Sequence, residues 1–177
     1  MRGFGGRAPK VLINRMIFIK IIVFSDTHGN IDGARFVLDK IQPDVIIHLG
    51  DLGSDADDIH YCYPNIIMHA VHGNSDPQKN HPLEKLINIG ERNIYLTHGY
   101  QFDVKYDFYL RMKLREGSDI VRYAKRLNAD ILLFGHTHIP YESIINGIHV
   151  LNPGTRSTYG IIEINGERVE KCKICTI

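Results

Sequence analysis

Short apolar runs, each closed by polar or turn residues, set the rhythm of this chain. Residues 17–24, 45–49, 66–71, 94–97 and 131–134 are rich in β-branched side chains and bounded by turn formers, the pattern of buried strands. Segments 32–41 and 118–127 instead repeat apolar residues at three- and four-residue spacing, which predicts helices, with Asp32 and Ser118 as their caps. Further short strands are expected over 141–145, 148–151, 160–164 and 168–174, separated by turn pairs that include the hairpin signals Asn146-Gly147 and Asn165-Gly166. An early βα set joined to a late antiparallel set reads as mixed α/β. Segment 100–117, rich in Tyr, Phe, Arg and Lys, lacks clear periodicity over its first half. It reads as a lid or specificity loop, or as a segment whose aromatics pack on the domain.

The chemistry stands where the first five runs end. Asp26-Thr27-His28, Gly50-Asp51, Gly73-Asn74, His98-Gly99 and Gly135-His136-Thr137-His138 each follow one run directly. If the runs are strands of one sheet, every cluster lies at a strand's carboxyl end, where open α/β sheets bind their ligands. Residues i and i+2 of an extended segment project to one side, so Asp26 with His28, and His136 with His138, can each offer two donors together. The neighbouring glycines let the chain turn tightly there. Two carboxylates, one amide oxygen and four imidazoles make seven donor side chains. With one Asp bridging, two metals would receive four protein donors each. Two divalent ions set against two carboxylates leave a positive surplus, which favours an anionic substrate.

In order and content, the blocks Ser25-Asp26-Thr27-His28-Gly29-Asn30, Gly50-Asp51, Gly73-Asn74-Ser75-Asp76, Thr97-His98-Gly99 and Gly135-His136-Thr137-His138 resemble the calcineurin-like metallophosphoesterases. With the late Asn152-Pro153-Gly154-Thr155, the chain is similar to their small, single-domain bacterial and archaeal phosphodiesterase branch. The resemblance runs from Met16 to the C-terminus and implies a four-layer α/β/β/α sandwich. Carried over residue by residue, it implies one metal held by Asp26, His28, Asp51 and His138, and a second held by Asp51, Asn74, His98 and His136, with Asp51 bridging. The implied reaction is hydrolysis of a phosphate ester by a hydroxide shared between two metals, which lower the pKa of water and clamp the phosphoryl oxygens. A neutral carbonyl oxygen on Asn74 ligates without cancelling that charge, and its NH2 can reach substrate. Manganese is the family expectation, while Ni, Fe, Co and Zn suit the same nitrogen and oxygen donors.

One departure bears on the leaving group. Many larger relatives read Gly-Asn-His, whose His is thought to act as general acid, and here that position is Ser75, too weak an acid for the role. Either the substrate needs little leaving-group protonation, or His72 serves as the acid; otherwise His72 is a strand-end histidine bonded to backbone. Asp76 is a candidate brace for a ligand histidine or a turn residue before Pro77. Asn152, Thr155 and Arg156 are candidate phosphate contacts through turn N–H groups and a guanidinium. Of the remaining histidines, His48 and His69 read as packed, and His60, His81 and His149 as surface or loop positions. None is assigned to metal.

Composition narrows the classes. The chain has 177 residues with 44% hydrophobic content, which suits one domain with a sizeable core. Lys plus Arg at 21 against Asp plus Glu at 20 is no basic footprint for nucleic acid, so a small phosphate ester is the simpler partner, and self-association stays open. A scaffold of the same fold, like the retromer subunit that has lost ligand residues, and a phosphomonoesterase are the alternatives. An amidohydrolase barrel needs about 250 residues, and the metallo-β-lactamase pattern is missing. Three cysteines and no secretory signal point to a reduced cytoplasm. Cys172 and Cys175 form a lone C-x-x-C that alternation in a last strand explains as well as zinc or redox chemistry does.

Arg15 and Lys20 interrupt the first apolar stretch, which is shorter than the ~20 residues of a membrane span and lacks a cleavage site. Residues 1–15 therefore read as an extension ahead of a single domain over 16–177. Deleting 1–15 is expected to leave hydrolytic activity intact, and a truncated protein that fails to fold would refute this.

Overall fold

Alternate side chains of a strand go to opposite faces, and the central strands here are apolar on both, so each sheet has to be covered twice. The computed structural model describes residues 18–111 and 113–177. The extension 1–15 and Ile17 lie outside the described residues. The chain runs β1 (Phe18–Phe24), α1 (Asp32–Ile41), β2 (Val45–His48), α2 (Gly53–Cys62), β3 (Ile67–Ala70), β4 (Glu84–Ile89), β5 (Arg92–Thr97), α3 (Val104–Arg111), α4 (Asp119–Arg126), β6 (Ile131–Leu133), β7 (Tyr141–Ile145), β8 (Ile148–Asn152), β9 (Thr158–Asn165) and β10 (Arg168–Thr176).

Two five-stranded sheets result, ordered β10-β9-β1-β2-β3 and β4-β5-β6-β8-β7. Ile21, Val23, Val45 and Ile47 of the first sheet meet Ile94, Leu96, Ile131 and Leu133 of the second in one buried cluster. The outer face of the first sheet, Ile22, Phe24 and Ile46, packs on Ala34, Val37 and Leu38 of α1 and Ile59 of α2. On the second sheet, Tyr95, Leu132 and Val150 pack on Val104 and Phe108 of α3 and on Ile120, Val121 and Ala124 of α4. This is the four-layer α/β/β/α sandwich.

The five apolar runs do not share one sheet. β1, β2 and β3 run parallel in the first, and β5 and β6 run parallel in the second. The sheets stack face to face, and two side-chain-to-backbone bonds, His98 to Leu49 and His136 to Asp26, join their carboxyl ends at one edge, so the clusters converge all the same.

Three elements have weak sequence signals. In α2 only Ala56 and Ile59 form the apolar stripe. β4 is an edge strand joined to β5 through Gly90 and Glu91, both at positive φ, the backbone of a type I′ turn. α3 follows a 3-10 turn at Tyr100–Phe102 and buries Phe108 while Tyr106 and Tyr109 stay exposed. Segment 100–117 packs on the domain through Phe102, Val104, Phe108 and Leu114, while most of its other described residues stay exposed. Asp32 is not the cap of α1, because Ile31 holds that position and the Asp32 N–H donates to Asn30 Oδ1 at 3.2 Å. Ser118 does occupy the cap position of α4, but its hydroxyl accepts the Arg115 N–H at 3.0 Å. The last hairpin turns on Gly166-Glu167, since Asn165 pairs with Arg168. In β10, Cys172 joins the core between the sheets and Cys175 the outer layer. Opposite faces leave the two thiols no shared site, and burial pushes the Cys172 thiol up to about 12.

Ile47 lies fully buried at the centre of the sandwich. Ile47→Ala is expected to destabilise the fold by about 2–5 kcal/mol, the range for large-to-small core changes, read as a lower midpoint in urea unfolding.

Candidate metal centre

Where the strands stop, the backbone reverses at once, and the donor residues take the strained positions. Asp26, His28, Asp51, His136 and His138 have φ of 53, 47, 48, 67 and 61°, a left-handed region that non-glycine residues seldom occupy. Backbone bonds hold these loops together. The Asp26 N–H donates to Gly50 O at 3.0 Å, His28 N–H to Asp51 O at 3.2 Å, and Gly135 N–H to His98 O at 3.0 Å. Two further bonds cross from one sheet to the other. His98 Nδ1 donates to Leu49 O at 2.7 Å, and the His136 N–H donates to Asp26 Oδ2 at 3.1 Å.

Glycine makes room for the carboxylates. A Cβ on Gly73 would stand 1.9 Å from Asp51 Oδ1, and one on Gly135 would stand 2.0 Å from Ser25 Oγ and 2.8 Å from Asp26 Oδ2. Each carboxylate therefore lies against bare backbone of a neighbouring loop. Donor atoms of Asp26, His28, Asp51 and His138 all lie within 4.8 Å of one another. His138 Nε2 is 3.1 Å from Asp26 Oδ1 and 3.4 Å from His28 Nε2. On the other side, His98 Nε2 is 3.4 Å from Asp51 Oδ2, and the rings of His98 and His136 stand edge to face, 5.1 Å apart.

The two carboxylates titrate in opposite directions. Burial holds the Asp26 carboxyl above its usual range despite His98 and Ser25. Burial also pushes Asp51 up, but the His98 imidazole and the Ser75 N–H and O–H outweigh it, so its net shift is downward. At His98, burial favours the neutral ring, yet the Asp51 and Asp26 carboxylates raise its pKa. Burial, together with Lys105 and His98, lowers His136 to about 4.

Among the described residues, Asp26 Oδ1, His98 Nε2 and His136 Nδ1 are buried without a hydrogen-bond partner. A buried polar atom left unpaired costs about 1–3 kcal/mol; His81 Nε2 and Arg92 Nε likewise lack a hydrogen-bond partner, but these three stand together at the strand ends, where a cation would satisfy them. His98 fits further, because its Nδ1–H is spent on a backbone carbonyl, which aims Nε2 at the Asp51 carboxylate as the ring atom a cation would take in place of a proton, the arrangement ligating histidines commonly have. Oxygen and nitrogen donors without thiolate suit a divalent ion.

Residues 19–162 match the calcineurin-like phosphoesterase superfamily domain. The chain belongs to that superfamily. It is 33% identical over 161 residues to a probable metallophosphoesterase of Methanocaldococcus jannaschii, covering 85% of this chain and 78% of the relative. A phosphodiesterase of the same organism is 26% identical over 155 residues, covering 77% and 83%. A crystal structure of a conserved Streptococcus pneumoniae protein, described as a predicted phosphoesterase, superposes with a TM-score of 0.71 at 27% identity and covers 91% of each chain. As a member of the calcineurin-like phosphoesterases, the protein is a metal-dependent hydrolase of phosphoric esters.

The structure sorts the remaining sequence candidates of this phosphoesterase. Asn74 is exposed, and its Nδ2 donates to Ser75 Oγ at 3.2 Å. Ser75 does more than replace an acid: its N–H and O–H donate to the two Asp51 oxygens at 2.9 and 3.0 Å. Asp76 accepts the Gly73 N–H at 2.7 Å, which shapes the Asn74 loop. His72 Nδ1 donates to His81 O at 2.8 Å, and Nε2 lies 3.2 Å from the Tyr100 hydroxyl. Asn152 is fully buried, its Nδ2 donates to Gly135 O and Thr137 Oγ1, and its Oδ1 accepts the Gly154 N–H. Thr155 is half-buried and Arg156 exposed on the β8–β9 loop. His149 lies in β8 rather than a loop, and His81 pairs with Asp57 at 3.2 Å.

Sequence patterning missed Tyr100, whose ring lies 6.1–6.3 Å from those of His72, His98 and His136. It missed Asp55 as well. Asp55 is buried in the first turn of α2 and accepts the Thr27 O–H at 2.6 Å and the Gly29 N–H at 2.8 Å on the same oxygen. An acidic residue three or four positions after Gly50-Asp51 was the available signal, hidden among the Asp residues of that helix.

Burial lowers His48 from 6.5 to about 4. A histidine whose folded pKa lies below its unfolded value contributes its full stability above 6.5 and loses it as pH falls toward 4. Between pH 7 and 5 the wild-type protein should lose about 2 kcal/mol more unfolding free energy than His48→Gln, at 1.36 kcal/mol per unit. Urea melts at the two pH values measure the difference, and equal losses would refute the neutral buried histidine.

Proposed function

We propose that residues 16–177 form one phosphodiesterase domain with two divalent ions, Mn2+ by preference. One ion would be held by Asp26, His28, Asp51 and His138, the other by Asp51, Asn74, His98 and His136. The observation that carries this reading is the trio of buried polar atoms without a hydrogen-bond partner on Asp26, His98 and His136 beside Asp51. Once bound, such ions lower the pKa of a water and neutralise charge on phosphoryl oxygens.

The chain's own residues do the rest. Asp51, kept ionised by His98 and Ser75, supplies two oxygens between the donor groups. Asn74 stands exposed after β3, with a carbonyl for a cation and an N–H for substrate. Arg156, exposed on the β8–β9 loop, offers a guanidinium to phosphate oxygens. Leaving-group chemistry supports a diester. Ser75 cannot act as acid, and His72 carries its proton on Nδ1, committed to a carbonyl, while Nε2 faces the Tyr100 hydroxyl. A substrate whose leaving group departs with little protonation, such as an activated diester, suits that environment. The M. jannaschii phosphodiesterase supports the same choice. Among the described residues no helix is long and apolar enough to cross a membrane.

Metal-stripped protein refilled with Mn2+ should hydrolyse an aryl phosphate diester in preference to the matched monoester. Asn74→Ala should lower kcat/KM by about 100-fold or more, since even residues that only support ligands cost 10–100-fold when changed. Metal-independent turnover, or none with any divalent ion, would overturn the proposal.

A further inference from the structure

Beneath the donor loops runs a chain of hydrogen bonds whose direction is fixed at both ends. The Gly50 N–H can only donate, so His48 Nδ1, 3.3 Å away, accepts. The ring's proton therefore sits on Nε2 and donates to Thr27 Oγ1 at 2.9 Å. An ionised carboxylate can only accept, so the Thr27 hydroxyl donates onward to Asp55 Oδ2 at 2.6 Å. The same oxygen takes the Gly29 N–H at 2.8 Å. His48, Thr27 and Asp55 are all buried, and the burial that keeps His48 neutral preserves this one arrangement.

The ends of the chain are the residue after His28 and the residue before Asp51. Its middle is the side chain between Asp26 and His28. All three flanked residues have left-handed backbone, a conformation that persists only where surroundings over-determine it. Holding Thr27 from below and Gly29 from behind removes freedom from both donors, without any relay atom belonging to the donor set. We propose that Asp55, Thr27 and His48 are positioning residues that set the affinity of the ion held by Asp26, His28, Asp51 and His138. This rests on the metal assignment above.

Asp55 works here as the acceptor of two hydrogen bonds, and an asparagine Oδ1 can accept the same two. Position, rather than charge, is what the relay supplies. Binding of Mn2+ to metal-free protein, followed by the electron paramagnetic resonance signal of free Mn2+, reads the two sites separately from activity. Asp55→Leu and Thr27→Val should each weaken one of the two ions by 10–100-fold, the scale for residues that orient ligands. They should leave the other within about threefold, and Asp55→Asn should bind nearly as wild type. Thr27→Val keeps the side-chain volume and serves if Asp55→Leu does not fold. Three results would overturn the relay: Asp55→Asn as weak as Asp55→Leu, both ions weakened alike with a lower thermal midpoint of the metal-free protein, or unchanged binding in Thr27→Val. Wild-type protein that binds no divalent ion would instead remove the metal assignment itself, and the relay with it.

Discussion

Donors that repel or ignore one another have to be held within a few ångströms, and the left-handed backbone at five of them is how the chain manages it. An extended segment puts Asp26 and His28 on one side but roughly 6–7 Å apart along the backbone, and by itself does not bring either of them to His138. A reversal immediately past the strand can, and it requires Asp26, His28, Asp51, His136 and His138 to accept positive φ. That reversal works only if the neighbouring loop yields space. Bare backbone at Gly73 and Gly135 yields it, because any Cβ there would overlap the Asp51 and Asp26 carboxylates or Ser25. The rigid part is the two-sheet core, with Ile21, Val23, Ile47, Leu96 and Leu133 locked between the sheets. Strain at the rim can persist because this packed core over-determines where the strands end.

Electrostatics then divide the two carboxylates. Asp51 receives an imidazole and both hydrogens of Ser75, and these hold its charge against burial. Asp26 receives Ser25 and one backbone N–H, and burial prevails. Two nearly buried carboxylates at one seam cannot both be content with protein hydrogens, and the unpaired Oδ1 of Asp26 is the residue of that conflict. A bound cation would resolve it without adding bulk. The same logic explains why His98, surrounded by carboxylates, is raised while His136, beside Lys105 and with less carboxylate help, falls to about 4.

Much of this was legible in the chain. The five runs became strands within a residue or two, Asn146-Gly147 turned a hairpin at positive φ, and six of the seven expected donors meet at one edge by distance or ring contact. Asn74, the seventh, stands beside them through Ser75. Periodicity could not assign the runs to two sheets, because parallel neighbours look alike whichever sheet they join. Nor could it see α2 and β4, whose burial comes from partners far along the chain: Asp55 from Thr27, and Glu84 from the hydroxyls of Tyr95 and Tyr123. Residue type alone also could not show what Asn152 does, since an Asn before Pro-Gly advertises a turn, and only burial shows its amide bonded to Gly135, Thr137 and Gly154.

Asn152 belongs to a correspondence that explains the paired motifs Asp-Thr-His and His-Thr-His. In each, a threonine separates two donors and turns its hydroxyl away from them into a buried polar partner. Thr27 meets Asp55 and His48, and Thr137 accepts from Asn152 and from the Ile139 N–H. A threonine offers one donor and two acceptors on a stiff, β-branched stem, so one hydroxyl tethered below fixes the two donors above. The first tether reaches to a helix outside one sheet and the second to a strand of the other. The late antiparallel hairpin of β7 and β8, which supplies none of the expected ligands, thus holds the second donor pair as α2 holds the first.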